Sequence, residues 1–238
     1  MAFVHSKSSR VMVNERHLSG HISGYTAGNT LNLAEVTSLL DQGTTHIPGL
    51  LDGTINVDGH FDPTEGSLYD TAKSARQVAA GVVATVMPAG LTLGSPAFLA
   101  IANATSFTVD AAVADKVSCA IEGQPNGGVD WGVVVHPHTA VTATADGASV
   151  DNTDATTGGG VATLHVTGVS GTAPSATVTV QDSADDVVFV DLITFAAATE
   201  ATHEYATVSG TVGRYVRASW TITGTSPEFT FAVAFARR

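Results

Sequence analysis

The sequence predicts a mainly β protein: a β-sandwich or partly closed barrel with one flanking helix in residues 1–136, then a second, small antiparallel β-sandwich in residues 161–238. Three observations predict it. Charged residues are only 13% of 238, while Gly, Ala, Thr and Val are abundant, a mixture that suits short strands and turns better than long charged helices. Apolar residues recur at period two in many short runs separated by turn formers. Residues 137–160, PHTAVTATADGASVDNTDATTGGG, carry three acidic residues, no Lys or Arg and a closing triple glycine, which divides the chain with a linker or long exposed loop.

In chain order, residues 1–10 read as a polar arm, followed by strand candidates at 11–14 and 21–26. Asn32 is placed to cap a short helix, with Glu35 at the reciprocal position and Leu33, Val36, Leu39 and Leu40 on one face. Glycines 20, 24, 28 and 43 mark the surroundings as loop, and residues 26–46 are expected to reach out from the body. Ile47-Pro48-Gly49-Leu50 reads as a bend, since Pro48 fixes φ and Gly49 accepts a positive φ. A strand should leave it from Gly53, with Ile55, Val57 and Phe61 inward and Thr54, Asn56, Asp58 and His60 facing elsewhere. Gly59 in that strand predicts a bulge or the close approach of another backbone.

Asp62, Pro63 and Glu65 then have the pattern of a helix start, with Leu68, Ala72, Ala75 and Ala79 as its apolar stripe and Asp70, Lys73, Arg76 and Gln77 pointing away. Period two returns at residues 82–87, 97–102, 106–110, 116–122 and 129–136, a meander with turns at 88–90, 103–104, 114–115 and 123–128. In the second unit the inward sets are Ala162, Leu164 and Val166; Ala176, Val178 and Val180; Val216, Ala218, Trp220 and Ile222; and Phe229, Phe231, Val233 and Phe235. Residues 187–195 are nearly all apolar and expected to be buried on both faces. Gly171-Thr-Ala-Pro174 and Gly224-Thr-Ser-Pro227 read as turns.

The formal charge of −12 with only ten basic residues argues against a dedicated nucleic-acid binder, which would neutralise phosphates with Lys and Arg. The single cysteine, Cys119, alternates with Val117 and Ile121 and reads as a small buried hydrophobe. The amino terminus lacks an apolar run of signal length and no stretch of about 18 apolar residues occurs, so the expectation is a protein kept in solution. His136-Pro-His138 lacks the further spaced ligands that a zinc site needs, and a hairpin turn explains Asp182, Asp185 and Asp186 without calcium. No nucleophile elbow, phosphate loop, paired-Cys motif or HExxH is present. The expectation is a non-enzymatic protein with no catalytic residue, metal or cofactor.

Several stretches together resemble the tail tube, or major tail, proteins of bacteriophages with long non-contractile tails. They are HLSGHISGY at 17–25, HIPGLLDGTINVDGHFD at 46–62, QPNGGVDWGVVVHP at 124–137, GGGVATLHVTGVSGTAPSATVTVQDSADD at 158–186 and VGRYVRASWTITGTSPEFTFAVAFARR at 212–238. The resemblance implies a subunit that closes into rings, commonly sixfold, which stack into a hollow tube for the genome, with the tube-forming core at 1–136 and an added Ig-like or jelly-roll-like sandwich on the outer wall. It implies further copies of the chain as the main partner, tape-measure and terminator or tip proteins beside them, no membrane, and DNA that passes the lumen without specific binding. The location implied is the virion, assembled in the host cytoplasm. Thr54, Asn56, Asp58 and His60 then become the candidate lumen or inter-subunit face, and the arm at 1–10 and the loop at 26–46 the candidate contacts. Residues 1–136 hold twelve acidic and six basic side chains, a net of −6, which suits an acidic channel. The competing readings are a carbohydrate-binding, adhesin-like sandwich, with Tyr205, Tyr215 and Trp220 weighed as sugar platforms against core packing, and a head decoration protein.

Overall fold

A computed structural model describes residues 4–76, 78–113 and 115–238; the expectations for residues 1–3, Gln77 and Ala114 lie outside the described residues. The elements run β1 (Arg10–Val13), β2 (Arg16–His17), β3 (Ile22–Glu35), β4 (His46–His60), α1 (Leu68–Ala75), β5 (Val82–Met87), β6 (Pro96–Ala111), β7 (Val117–Pro125), β8 (Asp130–Val141), β9 (Ala145–Asp146), β10 (Val150–Asp151), β11 (Gly160–Ser183), β12 (Val190–Thr194), β13 (Thr202–Val208) and β14 (Tyr215–Arg237). The predicted mainly β class with one helix holds, and every pairing is antiparallel.

Sequence periodicity located the inward sets of several strands. Ile55 and Val57 are buried with Val11, Leu18, Leu68, Val86 and Cys119 in one core, and burial pushes the Cys119 thiol up. A second core joins Ala162, Leu164 and Val166 to Ala176, Val178, Val180, Trp220 and the Phe229, Phe231 and Phe235 rings. Gly59 serves a close approach: a Cβ there would meet the His21 carbonyl and the Leu68 side chain, opposite the point where the β3–β4 register shifts.

The helix begins later than its first signal. Asp62 accepts from the Thr64 amide at 2.9 Å in a turn of its own, and Ser67 caps the helix, accepting from the Asp70 amide at 3.2 Å while Asp70 accepts from Gly66 at 3.1 Å. Leu68, Thr71 and Ala75 form the buried face, and Ala79 lies beyond the helix end. Ser67→Ala should lower stability by about 1 kcal/mol, read as a shift of the urea midpoint; an unchanged midpoint would remove the cap from the account.

Several expectations are corrected. The helix proposed around Leu33 and the loop at 26–46 are instead the end of a long hairpin, with Leu33 opposite Pro48 and Glu35 opposite His46. The Pro48 bend is a strand position beside a register shift, on a stretch of β4 that pairs with β3 alone, so the missing amide is harmless there. The turn at 103–104 is absent because β6 runs through it, exchanging β5 for β7 as its partner with a bulge after Ala104. Residues 187–195 are only partly strand, with Val187 and Val188 exposed on a turn whose amides Asp185 accepts at 3.0 Å.

The two Gly-Thr-x-Pro segments are not turns between strands. They lie opposite each other inside the β11–β14 ladder, with Thr172 paired to Thr225, and bend both strands together from one layer of the sandwich into the other. A Cβ on Gly171 would strike the Ser226 carbonyl and one on Gly224 the Ala173 carbonyl, and Ala173 and Ser226 both take positive φ, so the corner is nearly symmetric.

Residues 137–160, read as a linker, contain the end of β8 and strands β9 and β10, each paired with β14. The sheet therefore continues from β11 and β14 through β8, β6 and β5 to β1. A third apolar cluster, with Met12, Met87, Leu99, Val134, Val161 and Ala234, sits at this seam. Across it His165 Nδ1 donates to the Asn14 carbonyl at 2.5 Å, and its Nε2 lies 2.7 Å from Thr85 Oγ1, itself 2.8 Å from Thr163 Oγ1. Arg238 binds both Asp130 oxygens at 2.8 Å, and Tyr205 donates to the same carboxylate at 3.0 Å. Residues after 160 are thus fixed to the first unit by pairing, burial and polar contacts together.

Candidate functional site

Strands β3, β4, β7 and β6 pair in that order as a four-stranded part of the sheet. Side chains alternate between its faces, as strand geometry requires. One face carries Tyr25, Ala27, Ile55, Val57, Cys119 and Ile121 towards α1. The other carries Thr54, Asn56, Asp58 and His60 of β4, flanked in register by Thr26 of β3 and by Ser118, Ala120 and Glu122 of β7, and beyond them by Asp110, Thr108 and Ser106 of β6.

All four predicted residues therefore share one surface. Thr54, Asp58 and His60 are exposed and Asn56 is half-buried, its Oδ1 accepting from the Gly123 amide at 3.3 Å. Asp58, Asp110 and Glu122 give this surface three carboxylates, and none of these in-register positions holds Lys or Arg. Such a face presents an even, weakly adhesive wall to a polyanion.

The edges are the second feature. Among the described residues no strand pairs with the outer edge of β3, and β6 has no partner opposite β7 beyond Ala102. Residues 103–111, NATSFTVDA, and 23–35, SGYTAGNTLNLAE, contain neither Lys nor Pro, the residues that natural edges use against uncontrolled pairing. Sequence reading did not find these edges, because which strand ends a sheet is set by non-local pairing.

Exposed apolar side chains mark the ends of the same strands. Leu31, Leu33, Leu50 and Leu51 line the outer half of the β3–β4 hairpin, Leu39 and Leu40 its tip, and Val109, Val113 and Val117 the end of the β6–β7 hairpin. Contiguous apolar exposure of this kind marks interaction surface. The available signal is the density of Leu in 31–51, where Leu33, Leu39 and Leu40 also fit one face of a helix.

The sugar-platform residues are otherwise occupied. Trp220 is buried, with its Nε1 donating to the Ala143 carbonyl at 2.9 Å; Tyr205 is bound to Asp130, whose charge adds to burial in pushing the phenol up to about 12; and the Arg214 guanidinium covers the Tyr215 ring at 5.0 Å. His136 lies stacked on Phe231 with ring centroids 4.4 Å apart, and no group of three metal-capable side chains converges among the described residues.

No protein-family model and no curated protein matches the chain. Among solved structures it is similar to a chain of the virion of a native gene transfer agent particle, at 14% identity over 54% of this chain and 98% of that one, with a TM-score of 0.43. It is also similar to the SPP1 tail tube, at 11% identity over 54% and 78% of the two chains and a TM-score of 0.46. The SPP1 Dit protein, described as a hub adsorption apparatus protein, aligns over 96% and 98% at 10% identity and a TM-score of 0.38. Likenesses this remote do not place the chain in a family.

Proposed function

We propose that the protein is a structural subunit of a phage-type tail tube, whose copies join edge to edge into rings that stack around a DNA conduit. The observation that carries this reading is the four-stranded β3-β4-β7-β6 sheet, which has two unprotected edges and one acidic face. Edge β3 differs from edge β6, so their union is heterologous and generates a closed ring when the rotation fits. Six copies would contribute twenty-four strands, and at about 4.8 Å per strand these close a barrel about 37 Å across before tilt is added. The acidic face turns inward, and residues 161–238 form an outer layer held by the seam.

In this reading the chain has no enzymatic task. Its partners are further copies, with tape-measure, terminator or tip proteins completing a tail in the virion. Negative-stain microscopy of the purified chain tests it. Tubes or stacked rings are expected, and monomers persisting at high concentration would sink the proposal.

The inner face has its own test. Asp58→Lys with Glu122→Lys should move stability by no more than about 0.5 kcal/mol, since both side chains are exposed. Assembled particles should deliver DNA at least about tenfold less well, because the cations bind passing phosphates. Unchanged delivery from assembled particles would remove these residues from the lumen.

A further inference from the structure

Between α1 and the free stretch of β6 lies an open groove of about 590 Å³, floored by Tyr69, Ala72, Phe107 and Ile121 and rimmed by Lys73 and Arg76. Among the described residues neither cation enters an ion pair. An apolar floor under two unpaired cations calls for an apolar segment with negative charge beside it.

The tip of the β3–β4 hairpin has that composition. Leu39 and Leu40 are 106% and 94% exposed, Glu35 and Asp41 flank them, and the chain holds no Lys or Arg between Arg16 and Lys73. The loop is closed on itself: Asp41 accepts from the Ser38 amide at 2.6 Å, the Asp41 amide donates to the Ser38 carbonyl at 3.1 Å, and Val36 donates to the Thr45 carbonyl at 2.8 Å. Two leucines presented to water by an ordered loop lose little conformational freedom when they bind.

We infer that this loop seats Leu39 and Leu40 in the α1–β6 groove of a second copy, with Glu35 and Asp41 facing Lys73 and Arg76. A loop cannot fill its own groove. Ile55 lies in the core beneath α1, and the nine residues back to His46 span about 30 Å of strand, which points the tip away from the body. The inference rests on the reading of the chain as a self-assembling subunit and adds to it the contact by which one copy grips another.

Two measurements on the full-length chain decide it. Leu40→Cys protein mixed with Ala72→Cys protein under mild oxidation should give a cross-linked dimer on a non-reducing gel, absent when either is mixed with wild type. Leu39→Ser with Leu40→Ser should keep the wild-type melting temperature, because both side chains are exposed, and should raise the concentration needed for assembly at least about tenfold. A missing cross-link, or an unchanged threshold for assembly, overturns the docking. Wild-type tubes alongside such a failure would leave the tube reading intact, whereas a cross-link from protein that never forms tubes would sink that reading and keep the contact.

Discussion

Lowering the pH from 6.5 towards 4 should destabilise the protein steeply, through the histidines at and beside the seam. His165 is fully enclosed, and burial holds it down to about 4, with His203 and His138 adding repulsion against the opposing pull of the Asn14 carbonyl and Glu15. His17 is held to about 4 by burial, then by His138 and Arg10, and its ring lies 4.9 Å from that of His138. His136 is also held to about 4 by burial, between Trp220 and Phe231, and its buried Nδ1 has no hydrogen-bond partner among the described residues. The folded values lie below the ordinary 6.5, so in this window the unfolded chain binds more protons than the folded one. Stability from these groups is fully present above 6.5 and is lost as pH falls through the interval, at up to about 1.4 kcal/mol per histidine per pH unit.

The seam geometry identifies the most sensitive of them. The Asn14 carbonyl only accepts, so His165 Nδ1 carries the proton and Nε2 accepts from Thr85 Oγ1. A second proton on Nε2 would turn the Thr85 hydroxyl from donor to acceptor, with Thr163 accepting its hydrogen bond instead, and would leave a charged imidazolium enclosed among neutral groups. Melting temperatures measured from pH 7.5 to 4.5 should fall with this slope, and His165→Gln should show a shallower fall despite lower stability at neutral pH. Equal slopes for variant and wild type would exclude His165 as a source. The Asp62, Asp151 and Asp185 carboxyls titrate below their ordinary 3.8, so their stabilising contacts are lost only at still lower pH and are separable from this effect.

Phe231→Ala should have the largest effect of any single substitution considered, about 3–5 kcal/mol. Phe231 has no exposed surface, stacks on His136 at an interplanar angle of 20°, and meets the Trp220 ring edge-on with centroids 5.7 Å apart. It also sits in β14 between β11 and β8, opposite Val166 and Thr139, so a cavity there would loosen the sandwich and the strand joining it to the first unit together. Urea unfolding measures the loss, and Phe231→Leu should recover most of it. A cost under about 1 kcal/mol for the alanine variant would mean that the surrounding rings close over the gap.

Inward-facing sets were legible in the amino-acid order wherever apolar and polar residues alternate, because alternation is local and needs no partner to be read. Ile55 and Val57, the Ala162, Leu164 and Val166 set, and Phe229 to Phe235 all followed from period two. The same parity put Thr54, Asn56, Asp58 and His60 on one surface. Where strands end and what they pair with depended on contacts between distant segments. The Leu-rich stretch from Leu31 satisfies a helical stripe as well as a strand, and it was pairing with Pro48 and Ile47 that made it the latter. The Gly-Thr-x-Pro segments look like turns one at a time and become a corner only because each lies against the other, some fifty residues away. The unpartnered edges of β3 and β6, the exposed leucines at the hairpin tip and the groove that fits them arise from the same cause. Each is a relation between segments distant in sequence, and local composition carries no record of it.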